Sequence, residues 1–194
     1  MNFKSKIENS INDSIETKRL LLEKFSSEIE SIGIVLANAV KNGNKIMFCG
    51  NGGSAADAQH LAAELIVRLR PNVNRKALPG LALTVDSSIL TAGGNDYGFD
   101  YVFSRSVEGL GKEGDVLVGI STSGNSKNIE IAMQSAKELG IVCVGLLGKS
   151  GGSIKNVCDY ALIVPSDNTA RIQESHILIG HVWCEMIEEV ACNL

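Results

Sequence analysis

The chain has 194 residues, 18 basic and 22 acidic side chains for a net charge of -4, and 44% hydrophobic residues. That is enough for one domain-sized core, and the slight acidity argues against nucleic acid or an anionic membrane as the main partner. The five cysteines (Cys49, Cys143, Cys158, Cys184, Cys192) form no C-x-x-C pair, Met1–Lys6 is no apolar signal core, and no apolar run reaches membrane-spanning length; a reducing, cytoplasmic location is expected.

Residues 2–40 have a helical apolar pattern in which Leu22, Phe25, Ile29, Ile32, Leu36 and Ala39 recur at alternating spacings of three and four. Such a seam suits equally a helix lying on its own sheet and a bundle between subunits. Asn42-Gly43-Asn44 ends the helix. Residues 45–49 read as the first strand and 54–69 as the first core helix. The basic stretch Arg68–Gly80 reads as a solvated loop, followed by a strand over 81–85. Asp86 caps a short helix to about Ala92, Gly93–Gly98 form a turn, and a helix spans 100–110. Strands at 116–120, 141–147 and 160–164 follow, with helices ending near Leu139 and running from Thr169 to Cys192. Apolar strands alternating with helices predict a doubly wound parallel α/β sheet, and ligands bind beyond the carboxyl ends of such strands.

Two segments fall at those ends. In Gly50-Asn51-Gly52-Gly53-Ser54, three glycines between strand and helix allow close backbone approach to a ligand. Ser54 and Asp57 stand at capping-box spacing, which predicts a helix starting at Ser54 and offering free N–H groups to an anion. In Ser121-Thr122-Ser123-Gly124-Asn125-Ser126, four hydroxyls exceed the needs of a Ser126 cap and favour a phosphate. Neither a dinucleotide fingerprint nor a P-loop is complete: the glycines of Gly50–Gly53 are too close together, and Cys143 stands where Gly148-Lys149-Ser150 would need a glycine. His60 and Glu64 lie one turn apart on one helical face. On the last helix, His176 falls within an apolar stripe and reads as a core histidine. Gln173 and His181 lie off that stripe and are free to converge on a ligand beside it.

The stretches Gly50–His60, Ser121–Ser126 and Arg171-Ile172-Gln173-Glu174 together resemble the sugar-isomerase (SIS) domain family. The resemblance implies a flavodoxin-like three-layer sandwich with a five-stranded parallel sheet. Residues 1–194 would form a single domain with 1–42 as a helical appendage for oligomerisation, and the protein would be a homotetramer with sites between subunits. It implies an aldose–ketose isomerase that converts sedoheptulose 7-phosphate to D-glycero-D-manno-heptose 7-phosphate through an enediol, supplying heptose to lipopolysaccharide, capsule or another glycan. Carried over by motif match, Asn51, Gly52, Gly53, Ser54, Glu64, Asn95, Asp96, Ser121, Thr122, Ser123, Ser126 and Gln173 would contact substrate. His60, Glu64, Gln173 and His181 would hold one Zn2+ per subunit, and Glu64 and His181 would be the acid/base pair. The chain departs from the family in a longer Arg68–Gly80 stretch and in Gly93-Gly94 before Asn95. The competing readings are an isomerase of another phosphosugar and a non-catalytic member of the type that binds the replication initiator DnaA. Members of that type lack counterparts of Glu64 and His181.

Overall fold

A computed structural model describes residues 2–192. Five strands, β1 (Ile46–Gly50), β2 (Gly80–Ala82), β3 (Val116–Ser121), β4 (Val142–Gly148) and β5 (Tyr160–Val164), form one sheet in the order β2-β1-β3-β4-β5. Every pairing is parallel, with Ile46 opposite Val116 and Val116 opposite Val142. The helices are α1 (Phe3–Lys41), α2 (Gly53–Ile66), α3 (Ser87–Asp96), α4 (Val102–Leu110), α5 (Lys127–Glu138) and α6 (Thr169–Cys192). Single 3-10 turns lie at Phe99–Tyr101 and Ile154–Asn156. Among the described residues, no helix is long and apolar enough to cross a membrane.

Alternating strand residues divide the core. Ile46, Phe48, Val118, Ile120, Val144 and Leu146 pack under α1, α2 and α6. Met47, Cys49, Leu117, Cys143 and Leu147 pack under α4 and α5 with Phe103, Ile129 and Met133. Side chains of successive strand residues point to opposite faces, and helices cover both faces here. That is why these strands read as unbroken apolar runs. The architecture is the expected flavodoxin-like three-layer sandwich.

Three local expectations need correction, and a fourth is refined. β2 is an edge strand of three residues. Its ladder ends after the Leu83 N–H bonds to the Phe48 carbonyl, and Thr84 then turns its hydroxyl to the Ala55 carbonyl (3.2 Å). α3 does not stop at Ala92 but runs through Gly93 and Gly94 to Asp96, capped at its start by Asp86 (2.9 Å to the Ile89 N–H). α2 ends at Ile66. The seam on α1 is split between two environments. Ile32, Leu36 and Ala39 are buried against the chain's own domain, Phe25 and Ile29 are half-buried, and Leu22 is 73% exposed. Toward the N-terminus, Phe3, Ile7, Ile11 and Ile15 form an exposed stripe at four-residue spacing.

Candidate active site

The sheet order reverses between β1 and β3, and the chain leaves their carboxyl ends on opposite faces, opening a crevice at that point. Both segments singled out in the sequence line it. The first residue of α2 is Gly53, not Ser54, and its N-cap is Gly52, with φ 57° and ψ -120°. A residue with a Cβ is strained in that conformation, so a serine cannot replace it as the cap. Ser54 is instead the buried second residue of α2. At the second segment, Ser126 occupies the N-cap of α5 without capping it by its side chain. Its Oγ lies 2.9 Å from Ser121 Oγ, which also accepts the Gly124 N–H (3.1 Å). Ser123 Oγ accepts the Asn125 N–H (3.2 Å). Gly124 has φ 69°, and a Cβ there would meet the Gly151 carbonyl oxygen at 2.1 Å. The hydroxyls are thus fixed by a tight backbone crossing before any ligand arrives.

Asn51 and Asn128 join the two loops. Each side-chain amide donates to the other's oxygen at 2.9 Å, and Asn128 is 2% exposed. Asn128 was not singled out in the sequence, because an asparagine in the first turn of a helix reads as ordinary surface polarity. With both loops in place, two helix N-termini without side-chain caps face the crevice. Their free N–H groups and the positive end of each helix dipole suit an anion.

A second group of residues lies along the packed helices α2 and α6. Gly53 abuts Gln173, so closely that a Cβ at Gly53 would come within 2.4 Å of the amide nitrogen. Farther along, His60 Nε2 lies 2.9 Å from His181 Nε2 and 3.2 Å from Glu64 Oε1. Ligand atoms of His60, Glu64 and His181 all lie within 4.8 Å of one another. The rings of the two histidines meet edge to face with centroids 5.1 Å apart. Glu64 is more sheltered by side chain than His60, 16% exposed against 48%. Two imidazole nitrogens and a carboxylate oxygen match zinc in donor type. Gln173 keeps to the Gly53 end, eight residues before His181, or about 12 Å along an ideal helix. Asn95 and Asp96 lie exposed at the end of α3, bonded to each other at 2.7 Å.

Two neighbours complete the electrostatics. Burial pushes the Asp57 carboxyl above its usual range against the pull of His60, and Asp57 Oδ2 is buried without a partner among the described residues. His176 is fully buried, 2.9 Å from the Leu147 carbonyl through Nε2. Burial outweighs that bond and lowers its pKa to about 4, so it sits in the core as a neutral tether. The basic Arg68–Gly80 stretch is not simply solvated, since the side chain of Arg75 is 1% exposed and pairs with Glu188.

The SIS domain family matches this chain over residues 11–148. Phosphoheptose isomerase of Clostridium acetobutylicum is 53% identical over 188 residues, covering 96% of this chain and 95% of the relative. Phosphoheptose isomerase 1 of Campylobacter jejuni is 58% identical over 167 residues, covering 86% and 89%. The structure of phosphoheptose isomerase from Neisseria gonorrhoeae superposes with a TM-score of 0.91 at 42% identity, covering 97% of this chain and 100% of the other.

Proposed function

Because the chain belongs to the SIS domain family, among its phosphoheptose isomerases, and is an isomerase acting on a sugar phosphate, we propose that it converts sedoheptulose 7-phosphate to D-glycero-D-manno-heptose 7-phosphate. The observation that best supports this reading is the convergence of His60, Glu64 and His181 on α2 and α6, helices that also bring Gly53 and Gln173 together at the glycine loop.

The reaction moves one carbon-bound hydrogen between C1 and C2 and one proton between the two oxygens. Glu64 takes the proton from C1 of the ketose, leaving an enediol, and returns it to C2. His181 carries the oxygen proton, taking it from the O1 hydroxyl and giving it to O2. His60, beside both groups, orients the Glu64 carboxylate through its 3.2 Å contact. The hydroxyls of Ser121, Thr122, Ser123 and Ser126, with the N–H groups of Gly52 and Gly53, hold the phosphate. Asn51, Ser54, Asn95, Asp96 and Gln173 contact the sugar. His60, Glu64 and His181 would hold a zinc ion, while Gln173 stays with the sugar at the Gly53 end; bound by those three, zinc supplies a positive charge that polarises the carbonyl.

Two features support α1 as the assembly element of a homotetramer: its exposed stripe of Phe3, Ile7, Ile11 and Ile15, and the apolar cleft that Leu22 and Ile29 line with Leu178, Val182 and Met186 of α6. The deciding experiment incubates the purified protein with sedoheptulose 7-phosphate in D2O. Formation of the aldose with deuterium at C2 is expected. Turnover of arabinose or fructose phosphates in preference to the heptose would favour the isomerase of another phosphosugar, and no turnover of any would favour a binding protein. Light scattering of the same sample should give a mass four times that of the chain.

A further inference from the structure

Helices α2 and α6 touch at three levels. Gly53 meets Gln173 at the crevice, and Gly180 admits Leu61 so closely that a Cβ there would lie 2.5 Å from the Leu61 side chain. The third level is charged and buried. Arg75 reaches back from the segment after α2 and donates through Nε to Glu188 Oε1 (2.8 Å). Its Nη2 donates to the Glu64 carbonyl (2.7 Å) and its Nη1 to the Leu65 carbonyl (2.8 Å). Glu188 is 0% exposed, and its other oxygen accepts from Arg70 Nε (2.9 Å). Burial works to raise the Glu188 carboxyl, but hydrogen bonds from Arg70 and Arg75 outweigh it and hold the group below its usual range.

The position of these bonds matters because α2 ends at Ile66. The last four carbonyls of a helix have no amide donor within it. The Ala63 carbonyl is met by the Val67 N–H and that of Leu65 also by the Leu78 N–H. The Glu64 carbonyl is met by Arg75. Glu64 therefore presents its carboxylate to His60 from the last turn of a helix, the turn that frays first without a cap. The planar guanidinium fork binds two successive carbonyls of that turn and a carboxylate of the neighbouring helix at once, which a lysine cannot do. Glu188 follows His181 by seven residues, two turns farther along the same side of α6.

We propose that Arg75, clamped by Glu188, is a positioning residue for Glu64: it closes the last turn of α2 and locks that turn to α6, so that the carboxylate stays within reach of His60 and His181. This rests on the reading of Glu64 as the base. A buried ion pair can often be replaced by apolar side chains with little loss of stability, whereas deleting one partner is costly. The informative variant is thus the double Arg75→Met/Glu188→Met, with Arg75→Lys beside it.

Melting temperature, kcat, KM and the affinity of the metal-stripped protein for Zn2+ by calorimetry would be measured for each. The double variant should melt near the wild type, with kcat down roughly 10-fold or more, KM unchanged within twofold and Zn2+ affinity down by a similar factor, as expected when a supporting partner behind a ligand is lost. Arg75→Lys should fall between the two. A folded double variant with wild-type kcat and Zn2+ affinity overturns the proposal and leaves the pair a purely structural one. If the double variant does not fold, wild-type values in Arg75→Lys overturn it. If wild type itself binds no Zn2+, or Glu64→Gln keeps full kcat, the functional reading fails, and neither outcome depends on Arg75.

Discussion

At the carboxyl edge of the sheet, the Gly50–Gly53 and Ser121–Ser126 segments offer N–H groups and hydroxyls at the starts of α2 and α5. Farther along, in the bodies of α2 and α6, three side chains meet. The first region is built mainly from backbone geometry, with Gly52 and Gly124 at positive φ and hydroxyls already bonded to one another. The second depends on single atoms of His60, Glu64 and His181 that no neighbour duplicates. Two other helices show what the first region gives up: α1 and α3 are capped by the side chains of Asn2 and Asp86, whereas α2 and α5, like α4, start without a side-chain cap. A cap is worth about 1 kcal/mol to a helix. On the function proposed above, affinity is spread over many donors and chemistry is concentrated in few. Substitutions in the two regions should then differ in size and in the constant they change.

The largest effect is expected at Glu64. Glu64→Gln keeps the shape and a hydrogen-bonding end but cannot accept a proton. Its kcat should fall by roughly 10²–10⁴, the usual contribution of a general base, while KM and assembly are retained. In D2O the wild type should wash deuterium into the sugar and the variant should not. Exchange at the wild-type rate in Glu64→Gln would transfer the role to His181.

The difference between the two regions also governs what could be read in the sequence. The strands β1, β3 and β4 were legible because burial on both faces leaves long apolar runs, and β5 by its apolar run Ala161–Val164, although it is an edge strand exposed at its start. β2 was read too long, over 81–85, because an edge strand of three residues carries too little pattern to fix its ends. The His60–Glu64 pair was visible as a four-residue spacing. That His181 closes it was implied by family resemblance, since spacing along one helix says nothing about 121 residues of separation. For the same reason Arg75 passed for a solvated charge, as its carboxylate partner is 113 residues away. Ser54 and Ser126 were read as caps from their type. Gly52 displaces the first, and Ser121 engages the side chain of the second.

The histidines sharpen the contrast further. His176 shares α6 with His181, but it is sealed in the core, with its pKa lowered by burial to about 4. Its unfolded-state value is near 6.5, so below that pH the unfolded chain takes up a proton that the folded protein refuses. Stability is therefore fully present above about pH 6.5 and is lost as pH falls toward 4, by about 3 kcal/mol in all. His176→Gln keeps a donor for the Leu147 carbonyl and does not titrate. Urea unfolding at pH 7 and pH 4.5 should show a smaller pH-dependent loss in the variant, with kcat at neutral pH retained. Equal losses in both proteins would mean that other groups dominate acid unfolding.

The smallest effect is expected in the hydroxyl loop. Ser121→Ala/Ser123→Ala removes two oxygens, leaving Thr122, Ser126 and the N–H groups at the start of α5 to hold an anion. A hydrogen bond to a charged group contributes about 1.5–3 kcal/mol, but Ser121 Oγ already bonds to Ser126 and Gly124, so part of its worth lies in holding the loop. Binding of an unreactive, reduced sugar phosphate should weaken by roughly 10–100-fold in calorimetry, with kcat at saturating substrate nearly unchanged. Competition by inorganic phosphate separates the two contributions. If the loop binds the phosphate dianion, added inorganic phosphate should compete with the sugar in wild type and much less in the variant. If affinity for the reduced sugar phosphate is unchanged, the phosphate lies elsewhere and the division of labour between the two regions fails.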